Sequence, residues 1–147
     1  MRTEDCDFFS IQKLAAEFRS AIERCPREQL PIAFTNFPRG ACGDAALLLA
    51  KYLENNGHIG LAYVLGMRGG GSHAWLKRDC LVVDITADQF EDQLQPVIVE
   101  IDSEWHESFE LEPEDQQDSA DFERYDEHTV AMLGNAYRVI VRQLPAD

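Results

Sequence analysis

The sequence lacks most features that would mark a secreted, membrane-bound or nucleic-acid-binding protein. Its four cysteines are too few and too scattered to staple a chain of 147 residues. No run of about 18 apolar residues occurs, and the N-terminus lacks the basic and then apolar pattern of a secretion signal. The chain has only 13 Lys and Arg residues but 27 Asp and Glu residues. The resulting net charge of −14 argues against a nucleic acid or an anionic membrane as partner. These absences predict a cytoplasmic protein with reduced thiols.

The negative charge is concentrated in one segment, residues 100–127. This acidic segment holds 13 of the 27 acidic residues and a single basic residue, Arg124, so the rest of the chain is nearly neutral. Such a run is typical of a solvated surface loop, here with Trp105 and Phe109 as apolar anchors. Two further roles stay open for it, attraction of a basic peptide and cover of a cleft as an autoinhibitory flap.

The hydrophobic pattern predicts a single α+β domain over residues 1–147, with its core in residues 36–101. A length of 147 residues and a hydrophobic content of 45% fit a single packed core. Apolar residues at helical spacing predict three helices, with a strand alternative open at residues 136–143, and short β-rich runs predict a mainly antiparallel sheet. Residues 27–41 are expected to form an ordered loop. The predicted helices cover residues 8–24, 42–56 and about 128–144, and the predicted strands cover 59–67, 73–76, 81–85 and 97–101.

Two of these strands are expected to form a β-hairpin that brings a histidine to an aspartate. A turn over residues 77–80 would place His73 directly opposite Asp84, with Cβ atoms about 4.5–5.5 Å apart. His73, Trp75 and Asp84 would then share one face of the sheet, and the helix that begins at Cys42 is expected to pack on that face.

Cys42 stands where a reactive thiol is favoured. At a helix N-terminus, the unpaired N–H groups and the helix dipole lower the pKa of a thiol, and a neighbouring imidazolium lowers it further. The backbone N–H of Cys42 would also donate to an oxyanion formed during acyl transfer. Asn36, six residues upstream, is the favoured second donor, and Gln89 is the other candidate.

These residues lie in motifs that resemble the transglutaminase-like branch of the papain-like cysteine enzymes. The resemblance covers about residues 36–90 and rests on RGACGDAALLLAKYLENNG, SHAWLKRD and LVVDIT. It implies a papain-like core with a catalytic triad of Cys42, His73 and Asp84, in that chain order, and an amide side chain before the nucleophile at Asn36. The aromatic residue that often follows the family cysteine is absent, since Gly43 stands there. Because the chain is short, calcium dependence and protein crosslinking are not carried over.

The remaining polar residues are expected to have no chemical role. No C-x-x-C or H-x-x-x-H spacing occurs, so the sequence predicts no metal site and no cofactor. The stretch Arg68–Ser72 is expected to form a mobile loop that borders His73 and gates substrate entry. Trp75 either packs beside the triad or contacts substrate. The histidines outside the triad are expected at the surface: His58, His106 and His128.

The sequence therefore predicts a cysteine-dependent acyl-transfer enzyme that acts on an amide, either a peptide bond or a Gln or Asn side chain, through a thioester. Hydrolysis is the expected outcome, and peptide cleavage, deamidation and transamidation share the first half-reaction. A protein or peptide, and a basic one if the acidic segment takes part, is the expected substrate, with Trp75 and Gln89 as its binding residues. The alternative is a noncatalytic binding module, or an acidic interaction protein that uses residues 100–127. The oligomeric state is left open.

Overall fold

The structure, a computed structural model, describes residues 3–145 and the side chains of residues 7–145, and it has the α+β architecture that the sequence predicts. All neighbouring strands of the sheet are antiparallel, in the order β4-β3-β2-β1-β5. Within the described residues, four α-helices accompany this five-stranded sheet. The helices are α1 (Thr3–Arg24), α2 (Cys42–Asn55), α3 (Glu104–Glu107) and α4 (Glu127–Val141), and the strands are β1 (Ala62–Arg68), β2 (Gly71–Arg78), β3 (Leu81–Asp84), β4 (Ile98–Ile101) and β5 (Glu110–Leu111).

The three long helices follow the predicted apolar pattern. In α1, the residues at helical spacing, Ile11, Phe18 and Ile22, are fully buried. Helix α2 is buried on nearly all sides, and Gly57 follows it with a φ of 91°, the left-handed conformation in which glycine commonly ends a helix. Asp126 caps α4, because its carboxylate accepts from the backbone N–H of Thr129 at 2.9 Å. The strand alternative for residues 136–143 is wrong, since α4 continues to Val141.

The sheet has two differently packed faces. On one face, Leu76 and Val83 join the core cluster formed with α1, α2 and α4, and we call this the aliphatic face. On the other, Trp75 and Val82 belong to a separate cluster, and we call this the aromatic face. Successive residues of a strand point to opposite faces, so β2 supplies both clusters. The aromatic face comprises Val64, Trp75, Val82, Phe109 and the partly buried Phe90 and Trp105.

The hairpin between β2 and β3 is confirmed, but its predicted register is wrong by two residues. Arg78 pairs with Leu81 and Leu76 pairs with Val83, so Asp79 and Cys80 form a two-residue turn. Asp79 has a φ of 54°, the left-handed conformation that such tight turns require. A shift of two residues keeps every side chain on its expected face. His73 and Asp84 therefore stay on one face, although they are not directly opposite one another.

The turn between β1 and β2 is also tighter than expected. Gly69 and Gly70 alone connect Arg68 to Gly71, and both glycines have positive φ. This two-residue turn replaces the predicted gating loop, because two consecutive glycines fit a hairpin turn without strain.

The acidic segment is folded onto the sheet rather than forming only a solvated loop. It contributes α3 and β5, and Phe109 is buried as the predicted anchor. The side-chain amide of Gln116 donates to the backbone carbonyl of Leu65 and accepts from its N–H, both at 2.9 Å. The amide thereby replaces a missing strand partner along β1.

Among residues 3–145, no helix combines the length and the apolar character that crossing a bilayer requires.

Candidate active site

Groups from both faces of the sheet meet where the pairing of β2 with β3 ends. The ladder between β2 and β3 ends at the pair Leu76 and Val83, so residues 71–75 of β2 have no partner in β3. Asp84 ends the strand locally, because its Oδ1 accepts from the backbone N–H of Thr86 at 2.9 Å. The N-terminus of α2 lies beside this end of the ladder, where Cys42 is grouped with Ala74 and Thr86. Helix α2 itself packs on the aliphatic face, so the prediction that it covers the face of His73 is wrong.

Cys42 is the first residue of α2, as predicted, and is half-buried. Its thiol interacts with the His73 ring, the backbone of Ala74 and the side-chain amide of Gln89. Burial raises the pKa of the Cys42 thiol, but the hydrogen bond and charge of His73 and the other two donors outweigh burial. The pKa of Cys42 is therefore lowered, which favours the thiolate.

His73 and Asp84 form the predicted pair. His73 Nε2 lies 2.6 Å from Asp84 Oδ2, and both side chains are buried. Burial lowers the pKa of His73, but the hydrogen bonds and charges of Asp84 and Cys42 raise it to about 9. Burial raises the pKa of Asp84, and its bonds to His106 and His73 lower it to about 2. Because His73 Nε2 is hydrogen-bonded to Asp84 Oδ2, the other ring nitrogen, Nδ1, faces Cys42 and Gln89.

His106 is the site residue that sequence reasoning missed. It is buried rather than at the surface, and its Nε2 lies 2.7 Å from the same Asp84 Oδ2. The four-residue helix α3 places it there, with Ser103 as the N-cap. The only sequence signal was its position next to the predicted anchor Trp105. His58 is buried as well, against Ser10 Oγ at 2.8 Å, whereas His128 is exposed as expected.

Gln89, not Asn36, is the amide side chain at the thiol. The Gln89 side-chain amide lies 2.7 Å from His73 Nδ1, through Nε2. Its N–H donates to a neutral ring, whereas its carbonyl oxygen accepts from a protonated ring once the amide is turned over. Asn36 is exposed, and in the described part of the chain no side-chain hydrogen bond joins it to Cys42 or His73. Its backbone carbonyl instead accepts from Arg39 in a local turn. The structure therefore does not bring Asn36 to the site, because this turn directs the side chain to solvent.

A buried arginine holds the segment that carries Gln89. Arg19 of α1 binds both carboxylate oxygens of Asp88, at 2.8 and 2.9 Å, and also the backbone carbonyl of Ile85 at 2.7 Å. A guanidinium bound to two carboxylate oxygens fixes the orientation of both groups. Because Asp88 precedes Gln89 in one short 3-10 turn, Arg19 fixes the position of the amide.

Tyr63 is a second group at the N-terminus of α2 that the sequence did not indicate. A Cβ atom at Gly43 would lie 2.9 Å from the Tyr63 hydroxyl, so only glycine permits this approach. Burial raises the pKa of Tyr63, and the charges of Cys42, Tyr125 and Asp44 raise it further. The hydroxyl therefore keeps its proton and can donate a hydrogen bond beside Cys42.

Aromatic rings enclose His73. The ring of Phe90 meets it edge-on at a centroid distance of 5.1 Å, and Trp75 lies at 5.6 Å. Trp75 is only 3% exposed, so it packs beside the triad in this structure. The dry surroundings strengthen the electrostatic interactions of His73 with Cys42 and Asp84.

The three polar side chains His73, Asp84 and His106 also have the donor types of a metal site, with ligand atoms within 4.8 Å of one another. However, the two imidazole nitrogens are 2.6 and 2.7 Å from one carboxylate oxygen, which is the geometry of N–H donors to a carboxylate. A cation would have to replace both protons. We therefore assign the cluster to hydrogen bonding.

Comparisons with models of protein families, with curated proteins and with solved structures find no match for this chain.

Proposed function

We propose that this chain is a cysteine-dependent acyl-transfer enzyme that acts on an amide, with a transglutaminase-like, papain-like arrangement of Cys42, His73 and Asp84. One observation carries the proposal: a half-buried thiol at a helix N-terminus lies against a histidine that bonds a buried carboxylate. A purely structural cysteine needs none of these neighbours. The lowered pKa of Cys42 and the raised pKa of His73 both favour a thiolate beside an imidazolium, which is the reactive pair of a cysteine nucleophile.

In the first half-reaction, the Cys42 thiolate attacks the carbonyl carbon of an amide. The oxyanion that forms accepts from the backbone N–H of Cys42 and from the N–H of the Gln89 amide, whose oxygen faces His73 Nδ1–H while the ring is protonated. Gln89 thereby takes the role predicted for Asn36. His73 Nδ1–H donates its proton to the departing nitrogen, the C–N bond breaks and a thioester remains. Asp84 holds His73 Nε2–H throughout, so the ring keeps its direction toward the sulfur.

In the second half-reaction, His73 Nδ1 takes a proton from water, and the water oxygen bonds to the carbonyl carbon. The C–S bond then breaks, the acid is released, and the thiolate and imidazolium are restored. An amine in place of water would give transamidation by the same steps. We propose water as the acceptor and a basic peptide or protein as the substrate, since the acidic segment lies beside the site through α3.

The folding of the acidic segment disfavours the alternative of a separate acidic interaction module. Its residues hold the sheet edge through Gln116 and supply His106 to the buried cluster. A segment that served only as a decoy surface would not need a buried histidine bonded to Asp84.

Iodoacetamide labelling at pH 6 tests thiol activation without knowledge of the substrate. We expect Cys42 to react at least about tenfold faster than the exposed Cys80, whose pKa is raised by its hydrogen bond to Asp102. His73→Ala should abolish this preference. Equal labelling of Cys42 and Cys80 in the folded wild-type protein would contradict the proposal.

A pool of Lys- and Arg-rich peptides containing Gln and Asn then tests the reaction. Release of ammonia indicates deamidation, and new amino termini indicate cleavage. Cys42→Ser and Asp84→Asn should remove either product, while Asn36→Ala serves as the matched control and should retain activity within about twofold, since Asn36 lies away from the thiol. Activity that survives in Cys42→Ser would exclude the thioester route.

A further inference from the structure

Asp84 Oδ2 holds two imidazoles at once. His73 Nε2 lies at 2.6 Å and His106 Nε2 at 2.7 Å, and the three side chains are buried. The other oxygen, Oδ1, accepts from the backbone of Thr86. The nucleophile needs only the imidazole of His73, so the second imidazole requires its own explanation.

The partners of His106 assign its protons. Ser103 Oγ lies 2.6 Å from His106 Nδ1 and also accepts from the backbone N–H of His106. Asp84 Oδ2 only accepts, so the ring carries a proton on Nε2, and the Ser103 hydroxyl is placed to donate to Nδ1. His106 is thus an Nε2–H donor to Asp84, held in place by its N-cap.

We propose that His106 is a positioning residue of this site, whose Nε2–H shares Asp84 Oδ2 with His73 and so limits how strongly the carboxylate holds the His73 imidazolium. This inference rests on the proposed function, because its role is to adjust the thiolate and imidazolium pair. A carboxylate oxygen that accepts a second N–H bond has less negative charge for the first donor. His106 thereby keeps the proton on His73 Nδ1 available for transfer to the leaving group.

Other charged groups near the two rings stand farther from the carboxylate. The Arg68 guanidinium lies on the rings of Phe90, Trp105 and Phe109, which in turn contact His73. Below His106, a cavity of about 260 Å³ opens to solvent. Its ionisable lining residues, apart from His106, are Lys77, Cys80, Asp102 and Glu107.

The test compares three replacements of His106. His106→Leu and His106→Asn remove the donor at the Nε2 position, whereas the amide nitrogen of His106→Gln can still reach Asp84. For each variant, the C–H signals of the His73 ring are titrated by NMR from pH 5 to pH 11, and the rate of Cys42 alkylation by iodoacetamide is measured from pH 4 to pH 9.

We expect the His73 midpoint to rise by about one pH unit in His106→Leu and in His106→Asn, since each loses one hydrogen bond to a charged group. Cys42 alkylation at pH 5 should then become several-fold faster. His106→Gln should keep the wild-type midpoint. Only variants that stay folded to pH 11 are compared. His106→Asn keeps a polar side chain at this buried position, so the test does not depend on the leucine variant alone.

Unchanged His73 midpoints in folded His106→Asn and His106→Leu would overturn the inference, since a merely structural role would lower stability without moving the titration. The outcome is distinct from failure of the proposed function. If Cys42 is not activated while the His73 midpoint still moves, the coupling of the two histidines stands and the proposed reaction fails.

Discussion

The two faces of the sheet differ in what their buried residues do. The aliphatic face packs Leu76 and Val83 against helices, and its interactions are those of an ordinary core. The aromatic face buries His73, Asp84 and His106 among large rings. Among the described residues, every buried side-chain nitrogen and oxygen nevertheless has a hydrogen-bond partner. The comparison indicates that the aliphatic face supplies the stability and that the aromatic face holds the ionisable groups in place.

Breaking the aliphatic face should have the largest effect on stability. Leu76 is fully buried, so Leu76→Ala leaves a cavity and should lower the free energy of unfolding by about 3–5 kcal/mol. Urea denaturation measures this loss. The pH midpoint of Cys42 alkylation should stay unchanged in the folded fraction, because Leu76 points away from His73.

The matched control is Leu94→Ala. Leu94 is 88% exposed, so the same truncation there should change the free energy of unfolding by less than about 0.5 kcal/mol. A shift of the alkylation midpoint in Leu76→Ala would show that the two faces are not separable.

The aromatic face should instead show its contribution as a pH dependence. The pKa of His73 is raised to about 9 in the folded state, from an ordinary 6.5. Its stabilisation is therefore complete below pH 6.5 and is lost as the pH rises through 9. Asp84, with its pKa lowered to about 2 from 3.8, stabilises the fold above pH 3.8 and loses that effect as the pH falls through 2. In Cys42→Ser, Asp84 still raises the pKa of His73 but the thiolate no longer does, so we expect a loss of about 1–2 kcal/mol between pH 6.5 and pH 9.5.

The measurement compares urea denaturation of Cys42→Ser with that of Cys42→Ser/His73→Gln, so that the thiol does not titrate in either protein. Other ionisable groups cancel in the difference. The stability difference between the two proteins should shrink across this alkaline range. A difference that stays constant from pH 6 to pH 9.5 would show that the His73 imidazolium is not held in the folded state.

The sequence was sufficient to predict the aliphatic face, because the residues buried there follow the regular apolar spacing of helices and strands. Apolar spacing placed Ile11, Phe18 and Ile22 on the buried side of α1, and Gly57 marked the end of α2. Strand alternation likewise put His73 and Asp84 on one face. This result survived a register error of two residues, because such a shift preserves the direction of each side chain.

The rest of the site depends on contacts that periodicity does not encode. Asn36 is closer to Cys42 in sequence than Gln89, yet a turn directs Asn36 to solvent and Arg19 holds the turn of Gln89 in place. His106 lies in a highly acidic stretch, where surface exposure is the usual expectation. Its burial follows from a four-residue helix that packs on the aromatic face, which no local pattern predicts.

The smallest expected effect concerns the outer cover of the aromatic face. The Arg68 guanidinium lies 4.6 Å from the centre of the Phe109 ring and 5.0 Å from that of Trp105, and its Nη2 donates to Asp92 at 2.9 Å. Arg68→Met keeps most of the apolar stem but removes the cation, so we expect a loss of about 1 kcal/mol in urea denaturation, limited by partial exposure. Lys13→Met, at an exposed residue of α1, is the control and should cost less than about 0.5 kcal/mol. Equal losses in the two variants would mean that the aromatic face stabilises itself through its rings alone, whereas a larger loss for Arg68→Met would make the cation part of that face.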